Sequence, residues 1–182
     1  MTPLLDDIDV KILNHLQEQG RAQRNKIAEL VGLSVPSVSE RMKKLEERGL
    51  IKGYHAILND KDFHFDISAF LFVQVDGSEH YNNFVEETLR ESEILECHSI
   101  TGEGSHLLKV RTKNTASFER LLSRIQSWVG VDKTRSNLVL SSFKETRSLP
   151  IEQSTELLKR QEVEELFLSD EEIQDKLQNL EL

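Results

Sequence analysis

Residues 24–54 hold two short amphipathic segments joined at a glycine, and this spacing restricts the fold of the chain more than any other feature. The first segment has an apolar face with helical periodicity, made of Ile27, Ala28, Leu30 and Val31. Gly32 follows, at the position where a tight turn needs a residue that tolerates positive φ. The pattern predicts a helix that ends in a sharp turn.

The second segment carries the start and stop signals of a helix. Ser34 is a good N-cap, and Pro36 stands in the first turn, where its missing N–H costs little. A stripe at spacings of four and three residues follows, made of Val38, Met42 and Leu45. Gly49 then ends the helix. A short strand pair that forms a wing is predicted from Leu50, Ile51, Tyr54 and Ile57.

A third helix precedes this pair and completes a three-helix core. It begins at Asp6 or Asp7, and its apolar face consists of Ile8, Ile12, Leu13 and Leu16. The window from Arg21 to Lys52 holds eight basic and four acidic residues, a local balance of +4. The arrangement is typical of a helix-turn-helix that lays its second helix in the major groove of DNA. Two ordinary surface helices are the alternative, because the bare spacing also occurs by chance.

The candidate DNA contacts divide by chemistry. The cations that should meet phosphates are Arg24, Arg41, Lys43, Lys44 and Lys52. The side chains best placed for base edges or the groove floor are Ser34, Val35, Ser37, Glu40 and Arg41. Arg41 lies off the apolar stripe, so its replacement by alanine is expected to weaken DNA binding with little loss of stability.

The formal net charge of −9 is concentrated at the C-terminal end. Residues 152–182 hold ten acidic and three basic residues, so this segment accounts for −7 of the total. The acidic total therefore does not oppose DNA binding by the basic window. A single cysteine excludes an internal disulfide framework, and no apolar run approaches the ~20 residues that span a membrane. The N-terminus lacks the features of a signal peptide, so a cytoplasmic protein with no membrane partner is expected.

The part of the chain after residue 66 alternates strand and helix patterns. Strands are predicted at 69–75, 94–100, 106–112 and 134–143, and helical faces at 81–89 and 118–128. The order βαββαβ predicts a four-stranded antiparallel sheet with two helices on one face, so the fold class is α+β. The domain organisation is a winged helix-turn-helix at 1–57, a linker at 58–66, a βαββαβ domain at 67–151 and an acidic extension at 152–182.

One face of the predicted sheet has no helices to cover it. Leu71, Val73 and Val139 lie on strands, and both faces are predicted to be rather apolar. Because an exposed apolar sheet is a liability for a monomer, a homodimer that packs sheet against sheet is predicted. The acidic extension has a capping-box sequence at Ser169–Glu172, and Ile173, Leu177 and Leu180 follow at helical spacing. Amphipathic helices packed on a partner chain and a solvated tail both fit this pattern.

The whole arrangement resembles the Lrp/AsnC family, also called feast/famine regulatory proteins, over about residues 4–151. The segments that carry the resemblance are LDDIDVKILNHLQEQGR, IAELVGLS, SERMKKLEERGLIKGY, ITGEGSHLLKV and TRSNLVLSSFKETRSLP. The resemblance implies a winged helix-turn-helix with a ferredoxin-like, RAM/ACT-like domain, acting as a transcriptional regulator on double-stranded DNA. It also implies dimers that assemble into octamers or other higher oligomers. Residues 152–182 extend beyond the usual end of the family.

The family commonly binds an amino-acid effector at the turn between the second and third strands. By resemblance, the effector residues here are Ile100, Gly102, Glu103, Ser105 and His106. The usual pattern is Gly-x-x-Asp followed by Tyr, so the carboxylate that could pair with an effector's ammonium group is replaced by Ser105. Glu103 is the nearest acidic substitute, but it starts two residues away. A regulator or DNA-architectural protein that needs no effector is therefore an alternative.

Other chemistry has little support in the sequence. Glu96, Cys97, His98 and His106 do not have structural-zinc spacing, and Cys97 is expected to be a small core residue. The chain has no convincing nucleophile–base pair, dinucleotide fingerprint or P-loop. No metal, cofactor or enzymatic activity is predicted. A small-molecule sensor or enzyme built on the ferredoxin-like domain is the alternative from another class.

Overall fold

The computed structural model describes residues 5–102 and 104–151, and these residues form two compact units. One unit holds residues 5–56 together with 146–151, and the other holds Ile57–Glu145. The proposed acidic helices of 152–182 and the candidate effector residue Glu103 lie outside the described residues. Among the described helices, none combines the length and the hydrophobicity of a transmembrane segment.

The first unit is built on three helices: α1 (Asp7–Glu18), α2 (Arg24–Val31) and α3 (Val35–Glu47). The Asp6 carboxylate caps α1 by accepting a hydrogen bond from the backbone N–H of Asp9 at 2.8 Å. Gly32 adopts φ 70° between α2 and α3, as the turn requires. The core that joins the helices consists of Ile12, Leu13, Ile27, Ala28, Val38, Met42 and Leu45. The predicted helix-turn-helix is confirmed.

The predicted wing strands are wrong, because residues 50–59 form no strand in the structure. The backbone N–H groups of Leu50 and Ile51 both donate to the carbonyl oxygen of Leu45, at 3.0 and 3.2 Å. These bonds close the C-terminus of α3 beyond Gly49, so the two residues are not available for strand pairing. Ile51 packs on the helical core, whereas Ile57 is 99% exposed.

The second unit contains a four-stranded antiparallel sheet in the order β2-β3-β1-β4. Its strands and helices are β1 (Ile67–Val75), α4 (Tyr81–Arg90), β2 (Ile94–Ser99), β3 (His106–Thr112), α5 (Thr115–Gln126) and β4 (Val131–Leu138). The predicted βαββαβ order is confirmed. The last strand begins three residues earlier and ends five residues earlier than predicted, because Gly130 turns the chain at φ 86° and Val131 pairs with Val75.

The two faces of the sheet differ more than the sequence suggests. Leu71 and Val73 point toward α4 and α5 in a core with Phe84, Leu121 and Ile125, so they do not belong to the open face. The alternate positions on the neighbouring strands form the open face. They include Phe70, Phe72, Gln74, Leu107, Lys109, Arg111, Lys133 and Arg135. The prediction of an apolar open face is therefore wrong, since charged and polar side chains surround the aromatic rings.

An ion pair joins the linker to the sheet. A single 3-10 turn at Asp60–Phe63 ends at His64, which is left-handed at φ 58°. Among the described residues, His64 is the only non-glycine residue with positive φ. The Asp60 carboxylate pairs with the guanidinium of Arg111 on β3.

Residues 146–151 return to the helical unit and bind α1. The Gln17 side chain accepts from the Leu149 N–H at 2.6 Å and donates to the Leu149 carbonyl oxygen at 3.1 Å. The Asn14 amide donates to the carbonyl oxygen of Ile151 at 3.2 Å, and Ile151 packs against the helical core. The sequence placed these residues in the second domain, but their contacts lie in the first unit.

Candidate nucleic-acid interface and ligand turn

The N-terminus of α3 is exposed and carries two hydroxyl groups. The Ser34 hydroxyl accepts a hydrogen bond from the Ser37 N–H at 3.3 Å, and the two hydroxyl oxygens lie 2.8 Å apart. Val35 and Pro36 are exposed beside them. Backbone N–H groups and hydroxyls at a helix N-terminus suit phosphate contact, and a small apolar side chain suits the groove floor.

The outer face of α3, which we define as Glu40, Lys43, Lys44 and Glu47, carries two exposed ion pairs. The Lys44 ammonium lies 2.8 Å from the Glu40 carboxylate, and the Lys43 ammonium lies 3.6 Å from the Glu47 carboxylate. The hydrogen bond and charge of Lys44 lower the pKa of Glu40. Exposed i,i+4 pairs of this kind contribute little to helix stability, because water screens them. A DNA phosphate can therefore replace the glutamate partner of either lysine with little loss of helix stability.

Arg41 forms ion pairs that were not predicted from the sequence. Its guanidinium lies 2.7 Å from the Asp6 carboxylate and 2.8 Å from the Asp9 carboxylate, both at the N-terminal end of α1. The hydrogen bonds to Asp9 and Asp6 raise the pKa of Arg41. The side chain is 31% exposed, and Asp9 is 14% exposed. Arg41 therefore holds α3 against α1, and the signal that could have found this role is its helical spacing to Val38 and Leu45.

Replacing Arg41 with alanine is expected to destabilise the protein by about 1–2 kcal/mol, because the half-buried Asp9 carboxylate loses its charged partner. This differs from the small loss of stability expected from the sequence. Urea denaturation of the full chain measures the difference. Lys11→Ala, an exposed change of the same charge on α1, is the control. An Arg41 variant as stable as this control would contradict a holding role.

The remaining predicted DNA contacts lie on both sides of α3. Arg24 is exposed at the start of α2, and Lys52 is exposed after α3.

The Tyr54 hydroxyl donates to the Glu46 carboxylate at 3.0 Å. Burial and this bond raise the pKa of Tyr54 to about 12. Tyr54 therefore keeps its proton and anchors the segment after α3 to the end of that helix.

The turn between β2 and β3 approaches the end of β1 closely. Gly102 and Gly104 have φ values of 101° and 92°. A Cβ added to Gly104 would lie 3.0 Å from the Val73 carbonyl oxygen, so only glycine fits there without a shift of the backbone. Ile100 is half-buried, and its N–H donates to the Ser105 carbonyl oxygen at 3.0 Å.

Ser105 is buried, and its side chain forms hydrogen bonds with the backbone at the end of β1. Its hydroxyl oxygen accepts from the Val75 N–H at 2.9 Å and lies 3.2 Å from the Val73 carbonyl oxygen. It also lies 2.9 Å from Nδ1 of His106. The hydroxyl has a single proton to donate, so either it bonds Val73 and accepts from His106, or it donates to His106.

His106 points into the core of the sheet unit. Its ring lies 4.9 Å from the Tyr81 ring and 4.7 Å from the Phe84 ring, measured between centroids. Burial lowers the pKa of His106 and so favours the neutral ring, which can either donate to the Ser105 hydroxyl or accept from it. The structure thus brings Ser105 and His106 together, but on the inner side of the turn, where their polar groups bind each other and β1.

Replacing Ser105 with alanine is expected to lower the free energy of unfolding by about 1–3 kcal/mol, because the buried Val75 N–H loses its acceptor. Chemical denaturation gives the value. Ser136→Ala on β4 is the matched control, since Ser136 is exposed and its hydroxyl has no comparable buried partner within the described part of the chain. Equal stabilities of the two variants would show that the Ser105 hydroxyl does not support β1.

A groove of about 580 Å³ lies beside the turn in the second unit. Its lining residues are Phe72, Gln74, Gly104, Gln126, Lys133, Thr134 and Arg135. The Arg135 guanidinium lies 4.7 Å above the centre of the Phe72 ring, and the Gln126 amide donates to the Thr134 hydroxyl at 2.8 Å. Two cations and one aromatic ring at one groove suit a small ligand with a carboxylate.

A metal has no comparable site in the described ranges, where no group of three or more His, Cys, Asp or Glu side chains is arranged to hold one. Glu96 and His98 lie on the open side of β2 at 3.3 Å, whereas Cys97 packs partly against the inner core. Burial raises the pKa of the Cys97 thiol. Because side chains alternate along a strand, Cys97 lies on the opposite face of the sheet from Glu96 and His98.

Comparison with known proteins agrees with both units. Residues 5–52 match the model for a winged helix-turn-helix DNA-binding domain, and residues 68–149 match the Lrp/AsnC ligand-binding domain. HTH-type transcriptional regulator FL11 of Pyrococcus furiosus is 34% identical over 151 residues, covering 83% of this chain and 99% of the relative.

The chain belongs to the Lrp/AsnC family.

Two further members show how widely the similarity extends. The leucine-responsive regulatory protein of Escherichia coli K12 is 35% identical, covering 81% of this chain and 92% of that protein. The crystal structure of the Neisseria meningitidis transcriptional regulator NMB0573, solved in complex with L-Met, has a TM-score of 0.77 and 32% identity. The superposition covers 81% of this chain and 97% of the Neisseria regulator. The protein is accordingly a DNA-binding transcriptional regulator of the Lrp/AsnC type.

Proposed function

We propose that this Lrp/AsnC regulator binds DNA sequence-selectively as a dimer, with α3 of each chain in the major groove. The exposed N-terminus and outer face of α3 carry this proposal, because the buried stripe of the helix leaves them open to solvent. Lys43, Lys44, Arg24 and Lys52 contact phosphates. Ser34, Val35, Ser37 and Glu40 meet base edges or the groove floor, and Arg41 supports the helix from behind.

Pairing of two chains is supported by apolar side chains at and after the end of β4. Leu138 is half-exposed, and Leu140 and Phe143 are 94% and 97% exposed. Apolar groups of this size gain stability when a second chain covers them. The partner is a second copy of the chain, and two copies related by a two-fold axis present two α3 helices to a near-palindromic site. Octamers or other higher oligomers then need further contacts between dimers, because a two-fold interface is closed once two chains have paired.

Titration of the protein with its own promoter region and with an unrelated duplex, over a series of salt concentrations, tests DNA recognition. Selective binding that weakens steeply with salt is the expected result. Mass photometry in the same buffers gives the size of the assembly. Absence of binding to either duplex at any salt concentration would favour the sensor or enzyme alternative.

We also propose that a small ligand with a carboxylate, of the amino-acid class, binds the groove beside Gly104. Lys133 and Arg135 are the cations that meet its carboxylate, and Phe72 contacts its apolar part. Ser105 and His106 act indirectly, because their bonds shape the turn from its inner side. The L-Met complex of the Neisseria regulator makes methionine the first compound to test.

A bound amino acid is expected to raise the melting temperature, because a ligand at about 100 times its Kd stabilises the folded state by about 2.7 kcal/mol. Thermal-shift measurements with L-methionine and the other amino acids provide the test. Lys133→Ala should remove the shift, whereas Lys113→Ala, an exposed lysine outside the groove, should retain it. No shift with any amino acid would favour the effector-independent regulator.

A further inference from the structure

The chain passes between its two units twice, and a carboxylate that binds β3 lies close to each passage. The first passage is from Ala56 to Ile57, and the second is from Glu145 to Thr146. Asp60 lies shortly after the first passage, and Glu145 is the last residue before the second. Both carboxylates therefore stand where the second unit can restrain its connections to the first.

The guanidinium of Arg111 on β3 contacts both carboxylates. One terminal nitrogen pairs with Asp60, and the other lies 3.8 Å from the Glu145 carboxylate. The Lys109 ammonium, on the same face of the strand, lies 3.2 Å from Glu145 and 3.7 Å from Glu96. Arg111 therefore joins both connections to one point of the sheet, whereas the described ion pairs of Lys109 include the second connection but not the first.

The two cations of β3 are much less exposed than the lysines of α3. Arg111 and Lys109 are 14% and 20% exposed, whereas Lys43 and Lys44 are 74% and 64% exposed. Salt and water screen a partly buried charge less than an exposed one. Removal of its partner also leaves the charge uncompensated. The contacts of the two connections with β3 are therefore stronger than the ion pairs on the surface of α3.

These contacts determine how much free chain each connection contains. With Asp60 bound, the first connection has only residues 57–59 free, and with Glu145 bound the second has none. Without these contacts, the nearest described backbone bonds to the rest of the unit are those of the Asp66 and Val139 N–H groups, at 3.3 and 2.9 Å. Release therefore adds six residues to each connection, or about 20 Å of extended chain.

We propose that Arg111 is a positioning residue for DNA binding, because it holds both connections at one point of β3 and keeps them short. The inference rests on the proposed binding of DNA by a dimer through α3. Once one α3 of a dimer has bound, the effective concentration of the other at its half-site falls as flexible connections lengthen. Arg111 thereby raises the affinity for paired half-sites without contacting the duplex itself.

Limited digestion of the full chain with trypsin, followed by mass spectrometry, tests the restraint. Lys61 and Lys144 are exposed, and each is adjacent to one of the two carboxylates. In Arg111→Gln, cleavage is expected to be about tenfold faster after Lys61, because the loss of a charged partner favours opening of the segment. A smaller increase is expected after Lys144, where Lys109 still holds the chain. Unchanged cleavage after either lysine would overturn the proposal.

Three further variants show whether the effect comes from the ion pairs. Lys109→Gln should speed cleavage after Lys144 but not after Lys61. Asp60→Asn combined with Glu145→Gln should reproduce both increases with β3 unchanged. Arg120→Gln, the same substitution at an exposed position of α5, is the control. If the combined carboxylate variant is cleaved like this control, the effect of Arg111→Gln is a folding defect and the proposal is overturned.

Binding to the protein's own promoter region over a salt series tests the consequence for DNA. Arg111→Gln is expected to bind about three- to tenfold more weakly than Arg120→Gln. The slope of log K against log salt should be the same for both variants, because neither loses a phosphate contact. A lower slope for Arg111→Gln would mean that Arg111 itself contacts phosphate, which would overturn a positioning role.

The two measurements separate the failure of this inference from the failure of DNA recognition. If the parent chain binds DNA and Arg111→Gln binds it equally tightly, the positioning role is overturned and DNA recognition stands. If the parent chain binds no duplex at any salt concentration, the proposed DNA binding fails and the positioning role fails with it. The cleavage pattern then still shows whether Arg111 restrains the two connections.

Discussion

Replacement of both Lys43 and Lys44 by alanine is expected to weaken DNA binding by about a hundredfold or more at about 0.1 M salt. Each lysine lies on the exposed side of α3, and the proposed dimer, which presents two such helices to DNA, would lose four of its proposed phosphate contacts. Each lost contact reduces the slope of log K against log salt by about 0.9, so the slope should fall by roughly 3 to 4. Fluorescence anisotropy over a salt series measures both quantities.

The control for this variant is the pair Lys113→Ala and Lys144→Ala, which makes the same change in charge at exposed positions of the second unit. It is expected to change affinity several-fold at most, through the general field of the protein. If the α3 variant and the control lose the same affinity and the same salt slope, the outer face of α3 is not the DNA-contacting surface. Circular dichroism checks that both variants remain folded.

Replacement of Phe84 by alanine is expected to lower the free energy of unfolding of the second unit by about 3–5 kcal/mol. Phe84 is fully buried, and its ring lies 4.7 Å from His106 and 5.6 Å from Trp128. The substitution therefore leaves a cavity under the turn that carries Ser105. Trp128 is the only tryptophan of the chain, so its fluorescence follows unfolding of this unit in urea.

Leu89 on the same helix provides the comparison for Phe84. It is 81% exposed, so Leu89→Ala removes apolar atoms without opening a cavity, and its effect is expected to stay within about 0.5 kcal/mol. Similar urea midpoints for the two variants would show that Phe84 does not support the core described above.

Local chemistry accounts for the parts of the fold that were predictable from the sequence. Asp6, Ser34 and Pro36 mark the starts of α1 and α3 through capping and proline geometry, which depend on a few neighbouring residues. The alternation of β3 was likewise sufficient to place its ends at His106 and Thr112. The order of strands and helices then determined the βαββαβ fold.

The details that were missed depend on contacts between residues far apart in the chain. The partners of Arg41 are Asp6 and Asp9, which are 35 and 32 residues away. Residues 138–143 contain a run of apolar side chains, but strand pairing with β1 ends at Leu138. The sequence pattern of a strand does not reveal where its partner stops.

The candidate ligand turn shows a related limit. Resemblance to the family predicted Ser105 and His106 as effector residues, but the direction of their side chains depends on the pairing of Val73 with His106 in the sheet. That register turns His106 toward Phe84 and places Ser105 under Val75. Lys133 and Arg135, which line the groove, are more than 25 residues further along the chain and carried no local motif.

The return of residues 146–151 to α1 has a consequence for the order in which the protein is made. The bonds from Asn14 to Ile151 and from Gln17 to Leu149 join residues 137 and 132 positions apart. A ribosome completes the entire second unit before it releases the residues that finish the first. The DNA-binding unit is therefore the first to begin its synthesis and the last to be completed. The entropic cost of closing so long a loop rises only slowly with its length. A nascent chain that stops before residue 146 has all three helices of this unit but lacks residues 146–151, which bind α1.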